Sequence, residues 1–90
     1  MPDAESQAHQ IKRLHMRSMR RGIKEMDLIL SAYAGDRLAG MDAAGLALYD
    51  QMLNENDHDL YLWVSGQAAG PEKYAALVAD IRGHLTPIAR

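Results

Sequence analysis

Apolar residues recur at helical spacing along most of the chain, and this periodicity restricts the fold more than any other feature. Two series show it best: Ile23, Met26, Leu30 and Tyr33, then Tyr74, Leu77, Val78, Ile81 and Leu85. Each series repeats at intervals that place its members on one face of an α-helix. No alternation of apolar and polar residues with β-branched enrichment, the pattern of a strand, extends beyond four residues. The sequence therefore predicts an all-α protein.

Residues that break or cap helices divide this pattern into five helical segments, which predicts a small five-helix bundle. The helices are predicted from about Ser6 to Met19 or Arg20, from about Ile23 to Arg37, from an N-cap at Asp42 to about Asn54, from an N-cap at Asn56 or Asp57 through Val64, and from Pro71 to a stop at Thr86-Pro87. Further core residues are predicted at Ile11, Leu14, Met16, Leu46, Tyr49, Leu53, Leu60, Trp63 and Val64. The 90 residues are predicted to form a single domain with a disordered tail at 1–5 and a frayed end at 86–90.

Composition excludes several classes of protein. A hydrophobic content of 48% is typical of a globular chain, and a net charge of −2 gives no general attraction for nucleic acid. The absence of cysteine excludes disulfide bonds and thiolate metal sites. No apolar run is long enough for a membrane span, and Asp3 and Glu5 do not fit a signal or transit peptide. We expect a cytoplasmic protein.

Catalytic and metal-binding patterns are missing from the sequence. The glycines match no phosphate or dinucleotide fingerprint, and no two histidines are three or four residues apart. His58 lies between Asp57 and Asp59, but adjacent helical residues point about 100° apart and cannot converge on one site. The two acids are better explained as favourable charges at a helix N-terminus. The chain is therefore expected not to be an enzyme.

The segment from Ile11 to Lys24 contains six Lys or Arg residues and no acid, and Gly22 lies near its end. If the helix continued past Gly22, Arg13, Arg17, Arg20 and Lys24 would form one basic stripe. Such residues could contact nucleic acid or bind a protein. Alternatively, they could form only a solvated face or pair with acids elsewhere in the chain. The candidate acids are Asp50, Glu55, Asp57 and Asp59. The acidic total charge and the absence of interleaved aromatic residues disfavour nucleic acid, so we favour protein binding.

Four segments together resemble the SdhE family of succinate dehydrogenase assembly factors. Arg21-Gly22-Ile23-Lys24-Glu25 is similar to the family's R-G-x-x-E signature, preceded by Arg13-Leu14, Arg17-Ser18 and Arg20 and followed by Met26-Asp27. Downstream, Leu48–Leu53 resembles the third-helix segment, Asp59–Trp63 resembles a D-x-(Y/F)-x-W segment, and Pro71-Glu72 resembles the start of the last helix. The likeness extends from about Arg13 to Leu85. It departs in Asn54–Asp57, which lacks a proline that some relatives carry, and in the Ala- and Gly-rich stretch from Ala34 to Gly45.

The resemblance implies a chaperone-like protein that binds the flavoprotein subunit of succinate dehydrogenase and promotes covalent attachment of FAD. In bacteria the related fumarate reductase subunit is also a client. The FAD belongs to the client, whose histidine attacks the flavin, and none is held by this chain, which is expected to be a monomer when free. The implied partner-binding residues are Arg20, Arg21, Gly22, Glu25 and Asp27.

The roles of the signature residues follow from their chemistry. Gly22 would let a partner's backbone approach, the planar guanidinium of Arg21 would meet a carbonyl or carboxylate, and Glu25 would bind a donor or orient Arg21. The alternative is that Arg21 and Glu25 only form a pair four residues apart on one helix. Two other functions stay open: an enzyme in its own right, and an antitoxin-like regulatory module with a different protein partner.

Overall fold

A computed structural model describes residues 6–85, in which five α-helices surround one hydrophobic core. The helices are α1 (Gln7–Arg17), α2 (Lys24–Arg37), α3 (Ala43–Met52), α4 (Asp57–Val64) and α5 (Ala75–Leu85), with 3-10 turns at Leu38–Gly40 and Glu72–Tyr74. These residues include no strand, so the all-α prediction is confirmed. The predictions for 1–5, 86–90 and Thr86-Pro87 lie outside the described residues.

Three of the helices begin with a side-chain N-cap, close to the starting points that the sequence predicted. The Ser6 hydroxyl accepts a hydrogen bond from the His9 N–H at 3.1 Å, and Asp42 accepts one from the Gly45 N–H at 2.8 Å. Asn56, one of the two predicted caps of α4, accepts from the N–H of His58 at 2.8 Å. Each cap satisfies an N–H group that has no partner within its own helix.

The first helix ends earlier than predicted. It stops at Arg17, and Ser18 follows as a buried residue whose hydroxyl donates to the Leu14 carbonyl at 2.8 Å and lies 2.6 Å from the Tyr49 hydroxyl oxygen. Leu14 and Ser18, four residues apart, therefore define the inward face of α1. Met16 is about 200° around the helix from Leu14 and is 64% exposed, so its prediction as a core residue is wrong.

The last helix begins later than predicted. Pro71 has an extended ψ of 144° and precedes the 3-10 turn Glu72–Tyr74, so it is not the first residue of an α-helix. The turn carries Tyr74 into the core, where its ring centroid lies 6.1 Å from that of Trp63. Ala75 then begins α5.

The core contains most of the predicted residues and draws on all five helices. The predictions for Tyr49 and Trp63 are confirmed, and in the α2 series Met26, Leu30 and Tyr33 are fully buried. Ile11 and Ile23 are partly buried against this core. No helix in the described part of the chain is long and apolar enough to cross a membrane.

Candidate partner-binding site

The α1–α2 turn, residues 18–23, places the predicted site residues between two helices. Arg20 has a φ of +57°, the left-handed conformation that L-residues rarely adopt, and it is the only non-glycine with positive φ among residues 6–85. Its backbone N–H donates to Asp27 Oδ2 at 2.9 Å. A carboxylate from the first turn of α2 thus holds the strained residue in place.

Arg21 points inward from this turn, and its side chain is only 12% exposed. Its Nε donates to Asp57 Oδ1 at 2.7 Å, and Nη2 lies 2.6 Å from the same oxygen. Nη1 donates to the Arg17 carbonyl and Nη2 to the Leu53 carbonyl, both at 3.1 Å. All three guanidinium nitrogens are therefore engaged inside the protein.

Gly22 is exposed, and its backbone N–H donates to Asp57 Oδ2. A Cβ atom added at Gly22 would lie 3.0 Å from that oxygen, closer than most real Cβ contacts. Its φ is not in the left-handed region. Glycine is therefore favoured here by the closeness of Asp57, which would have to shift by a few tenths of an ångström for a larger residue, rather than by its own backbone conformation.

The outer surface of the turn, which we take to continue onto the first two turns of α2, consists of Met19, Arg20, Gly22, Glu25 and Leu28. Within residues 6–85 the side chains of Arg20 and Glu25 make no hydrogen bond or ion pair. Met19 is 42% exposed and Leu28 is 62% exposed. The surface therefore combines apolar area with one charge of each sign.

The five predicted partner-binding residues fall on both sides of the turn. Arg20, Gly22 and Glu25 are exposed. Arg21 is directed inward, and Asp27 is half-buried, accepting hydrogen bonds from the Arg20 N–H and, at 3.2 Å, from the Ser31 hydroxyl. The alternative of an Arg21–Glu25 pair on one helix is wrong, because Arg21 precedes α2 and binds Asp57. Partner binding by these residues stays a prediction.

The remaining basic residues do not form the continuous stripe that unbroken helicity would give, because α1 ends at Arg17. Arg13 pairs with Asp50 at 3.2 Å, and Arg17 also binds that carboxylate. A second bond joins Arg17 to the Asn54 side chain at 2.7 Å. The alternative that basic residues pair with acids of the same chain is confirmed for Arg13, Arg17 and Arg21.

Asp57 was named from the sequence only as one of four candidate acids for the basic segment and as a possible N-cap, and was not placed in the site. It occupies the first turn of α4 together with Asp59, as the helix-terminus interpretation predicted. Its contacts with Arg21 and Gly22 cross 36 and 35 residues of sequence and have no local signal. The sequence indicated that one of four acids could pair with the basic segment, but it did not indicate which arginine Asp57 would bind.

The strongly perturbed titratable groups lie in the core. Burial raises the pKa of Tyr49 to about 12, opposed in part by its hydrogen bond with Ser18. Burial and then the hydrogen bond to Asp80 also raise the pKa of Tyr33. No group of three or more potential metal ligands occurs in residues 6–85.

Comparison with known proteins gives a consistent result. A family model described as "Flavinator of succinate dehydrogenase" matches residues 12–85. The protein named succinate dehydrogenase assembly factor 2, mitochondrial, of Schizosaccharomyces pombe is 42% identical over 64 residues, which cover 71% of this chain and 46% of that protein. Its namesake in Aedes aegypti is 39% identical over 79 residues, covering 84% of this chain and 49% of that protein. The chain spans about half the length of the curated relatives it matches.

Proposed function

Because the chain belongs to the family of flavinators of succinate dehydrogenase, we propose that it binds the flavoprotein subunit of that enzyme and promotes covalent attachment of FAD. The names of the relatives as assembly factors support a helper role rather than a catalytic one. The related flavoprotein of fumarate reductase is a second proposed client. The relatives are named mitochondrial, and the bacterial cytoplasm expected from the sequence stays a prediction.

The observation that carries the proposal is the outer surface of the α1–α2 turn. Its exposed Leu28 and Met19 offer apolar area, and Arg20 and Glu25 offer charges that no other group in residues 6–85 neutralises. Methionine and arginine are enriched at protein interfaces, where apolar contacts at the centre are combined with polar groups at the rim. Gly22 leaves room for a client backbone beside these side chains.

The proposed mechanism is conformational. A protein that binds one conformation of a client shifts the client's equilibrium by its difference in affinity between the two conformations. We propose that this chain binds the conformation in which the client's own histidine and FAD are in contact. FAD supplies the reactive flavin within the client. The residues of this chain hold the client and transfer no group.

The test is flavinylation of the purified succinate dehydrogenase flavoprotein, followed by fluorescence of the denatured subunit in a gel. Wild-type protein should increase the covalent flavin, and Gly22→Arg should abolish the increase while the protein remains folded. Glu25→Ala should reduce it less, because it removes one polar partner without adding bulk.

The matched control for Glu25→Ala is Glu72→Ala, a second exposed glutamate that lies before α5 and whose carboxylate has no partner within residues 6–85. This variant should behave as wild type. Equal activity of wild type, Gly22→Arg and Glu25→Ala would show that the outer surface is not the working face. No stimulation by the wild-type protein would contradict the proposed function itself. Binding of free FAD by the purified chain would contradict the view that only the client holds it.

A further inference from the structure

Asp57 joins α4 to the α1–α2 turn through both of its carboxylate oxygens. Oδ1 receives the guanidinium of Arg21, and Oδ2 receives the backbone N–H of Gly22. The carboxylate is 19% exposed and the guanidinium side chain 12% exposed, so water screens the pair only weakly. The same guanidinium also binds the carbonyls at the end of α1 and of α3. Four elements thus meet at one ion pair.

We propose that Asp57 and Arg21 are positioning residues for client binding, and that Arg21 acts through Asp57 without touching the flavoprotein. The inference rests on the proposed function and assigns different roles within the site. Arg20, Glu25 and Leu28 contact the client. The Arg21–Asp57 pair holds the turn in the conformation that presents them.

The guanidinium of Arg21 is already engaged inside the protein. A guanidinium recognises a carboxylate or carbonyl by directing its N–H groups at it in a fixed plane. Each nitrogen of Arg21 already binds Asp57 or a main-chain carbonyl. These contacts engage four of the five N–H donors, so a planar two-bond contact with a client would require breaking at least one of them and weakening the hold on a half-buried Asp57, which is unfavourable.

Gly22 lies directly against the carboxylate of Asp57. A side chain at this position would begin 3.0 Å from Asp57 Oδ2 and displace the carboxylate that the Gly22 N–H binds. Substitution of the glycine therefore disturbs the turn from within, in addition to any obstruction of the client. The arginine and the glycine of the signature both act on Asp57.

Asp57→Asn tests the role, with Asp59→Asn as the matched control. Asparagine offers one acceptor oxygen where the carboxylate offers two, so it cannot satisfy both Arg21 and the Gly22 N–H. Asp59→Asn removes the same charge from the same first turn of α4, but the Asp59 carboxylate has no partner within residues 6–85. The control therefore accounts for changes in net charge and in the helix dipole.

The kinetics of binding to the FAD-loaded flavoprotein distinguish positioning from contact. If Asp57→Asn lowers the fraction of molecules with a competent turn, the association rate falls in proportion while dissociation of the formed complex is unchanged. We expect a decrease of about tenfold in the association rate, within the range of coupling between contacting residues. Glu25→Ala, which removes a contact, should instead raise the dissociation rate. An Asp57→Asn effect confined to dissociation, or matched by Asp59→Asn, would overturn the proposal.

A double-mutant cycle tests whether Arg21 acts through Asp57. Combining Arg21→Gln with Asp57→Asn should lower client affinity by no more than the larger single change, since both remove the same restraint. Additive losses would mean that Arg21 contacts the client separately, and would overturn the assignment.

Measurement on the wild-type protein protects the test against variants that fail to fold. The Gly22 amide should exchange with solvent slowly despite its exposure, and its proton resonance should move in Asp57→Asn but not in Asp59→Asn. Rapid exchange of this amide in the wild type would show that the bond to Asp57 does not form in solution. If only Glu25→Ala weakens client binding, the proposed function stands and the positioning role fails; if the wild type does not bind the flavoprotein, the function fails.

Discussion

The inner and outer sides of the α1–α2 turn use residues of the same type for opposite purposes. Arg21 is directed inward, and each of its three guanidinium nitrogens binds Asp57 or a main-chain carbonyl. Arg20, its neighbour, is exposed, and its guanidinium makes no bond within residues 6–85. These two adjacent arginines thus differ in role, because the left-handed backbone of Arg20 changes the direction of the chain between their side chains.

The difference shows that charge in a sequence does not measure charge available for binding. The basic segment contains six Lys or Arg residues, but Arg13, Arg17 and Arg21 are paired with Asp50 or Asp57. Substitutions in the hydrophobic core, the framework of the bundle, should therefore act mainly on stability. Substitutions on the outer surface, apart from the strained Arg20, should act on client binding and leave stability almost unaltered.

The largest effect is expected in the framework, at Trp63. Trp63→Ala should lower the free energy of unfolding by about 3–5 kcal/mol, because it removes a large buried side chain and leaves a cavity. The indole packs against Tyr74, and a Cβ at Gly70 would lie 2.8 Å from it, so the site is tightly filled. Urea unfolding measures the change. Trp63→Phe, the control, should cost less, and a folded fraction of Trp63→Ala that binds the client normally would confirm the separation. An unchanged unfolding curve would contradict it.

Alkaline pH should destabilise the framework by a smaller amount. Burial raises the pKa of Tyr49 to about 12, whereas a tyrosine of the unfolded chain ionises near pH 10. The unfolded state therefore loses its proton first. The stabilisation is complete below about pH 10 and is lost as the pH rises to about 12, by about 2–3 kcal/mol for this group.

Denaturant unfolding at several pH values checks this window. Tyr49→Phe should make the decline shallower, whereas Tyr61→Phe, at a partly exposed tyrosine, should change it less. A free energy of unfolding that is constant across this range would show that Tyr49 does not remain protonated in the folded state.

Arg20 lies where the two sides of the turn meet, so a glycine there should change both properties. Arg20→Gly should stabilise the protein by about 0.5–1 kcal/mol, because glycine adopts a positive φ without steric cost. The same substitution removes the guanidinium and should weaken client binding. Thermal unfolding and client titration measure the two effects. Met19→Gly, the neighbouring exposed position without a positive φ, should not stabilise; a gain in stability there equal to that of Arg20→Gly would remove the conformational explanation.

The smallest effect is expected for long-range attraction of the client. Lys24→Gln should lower the association rate by about twofold at low ionic strength and have no effect at physiological salt. The reason is that the Debye length is about 30 Å at low ionic strength and only about 8 Å at physiological salt. Arg13→Gln should change the rate less, because Asp50 offsets part of the charge of Arg13 and Arg17. Both variants should unfold within about 0.5 kcal/mol of wild type. Equal effects of the two substitutions would mean that the pair with Asp50 does not reduce steering.

The helical elements and most of the core could be predicted from the sequence because their signals are local. The inward positions of α2 follow from intervals of three and four residues, and the caps at Ser6, Asp42 and Asn56 use their own side chains on nearby N–H groups. The resemblance also identified the turn that carries the exposed Gly22 and Glu25. Met16 was misplaced because Ser18, a polar residue, occupies the inward position at the end of α1.

The sequence by itself thus determined five helices, their inward faces and the family to which the chain belongs. Only the tertiary structure decided which charges remain free for a partner. Asp57 meets Arg21 across 36 residues, once the end of α3 and the start of α4 lie beneath the α1–α2 turn. Helix propensity and capping act within a few residues, but the pairing of a half-buried arginine depends on the helices that exclude water around it.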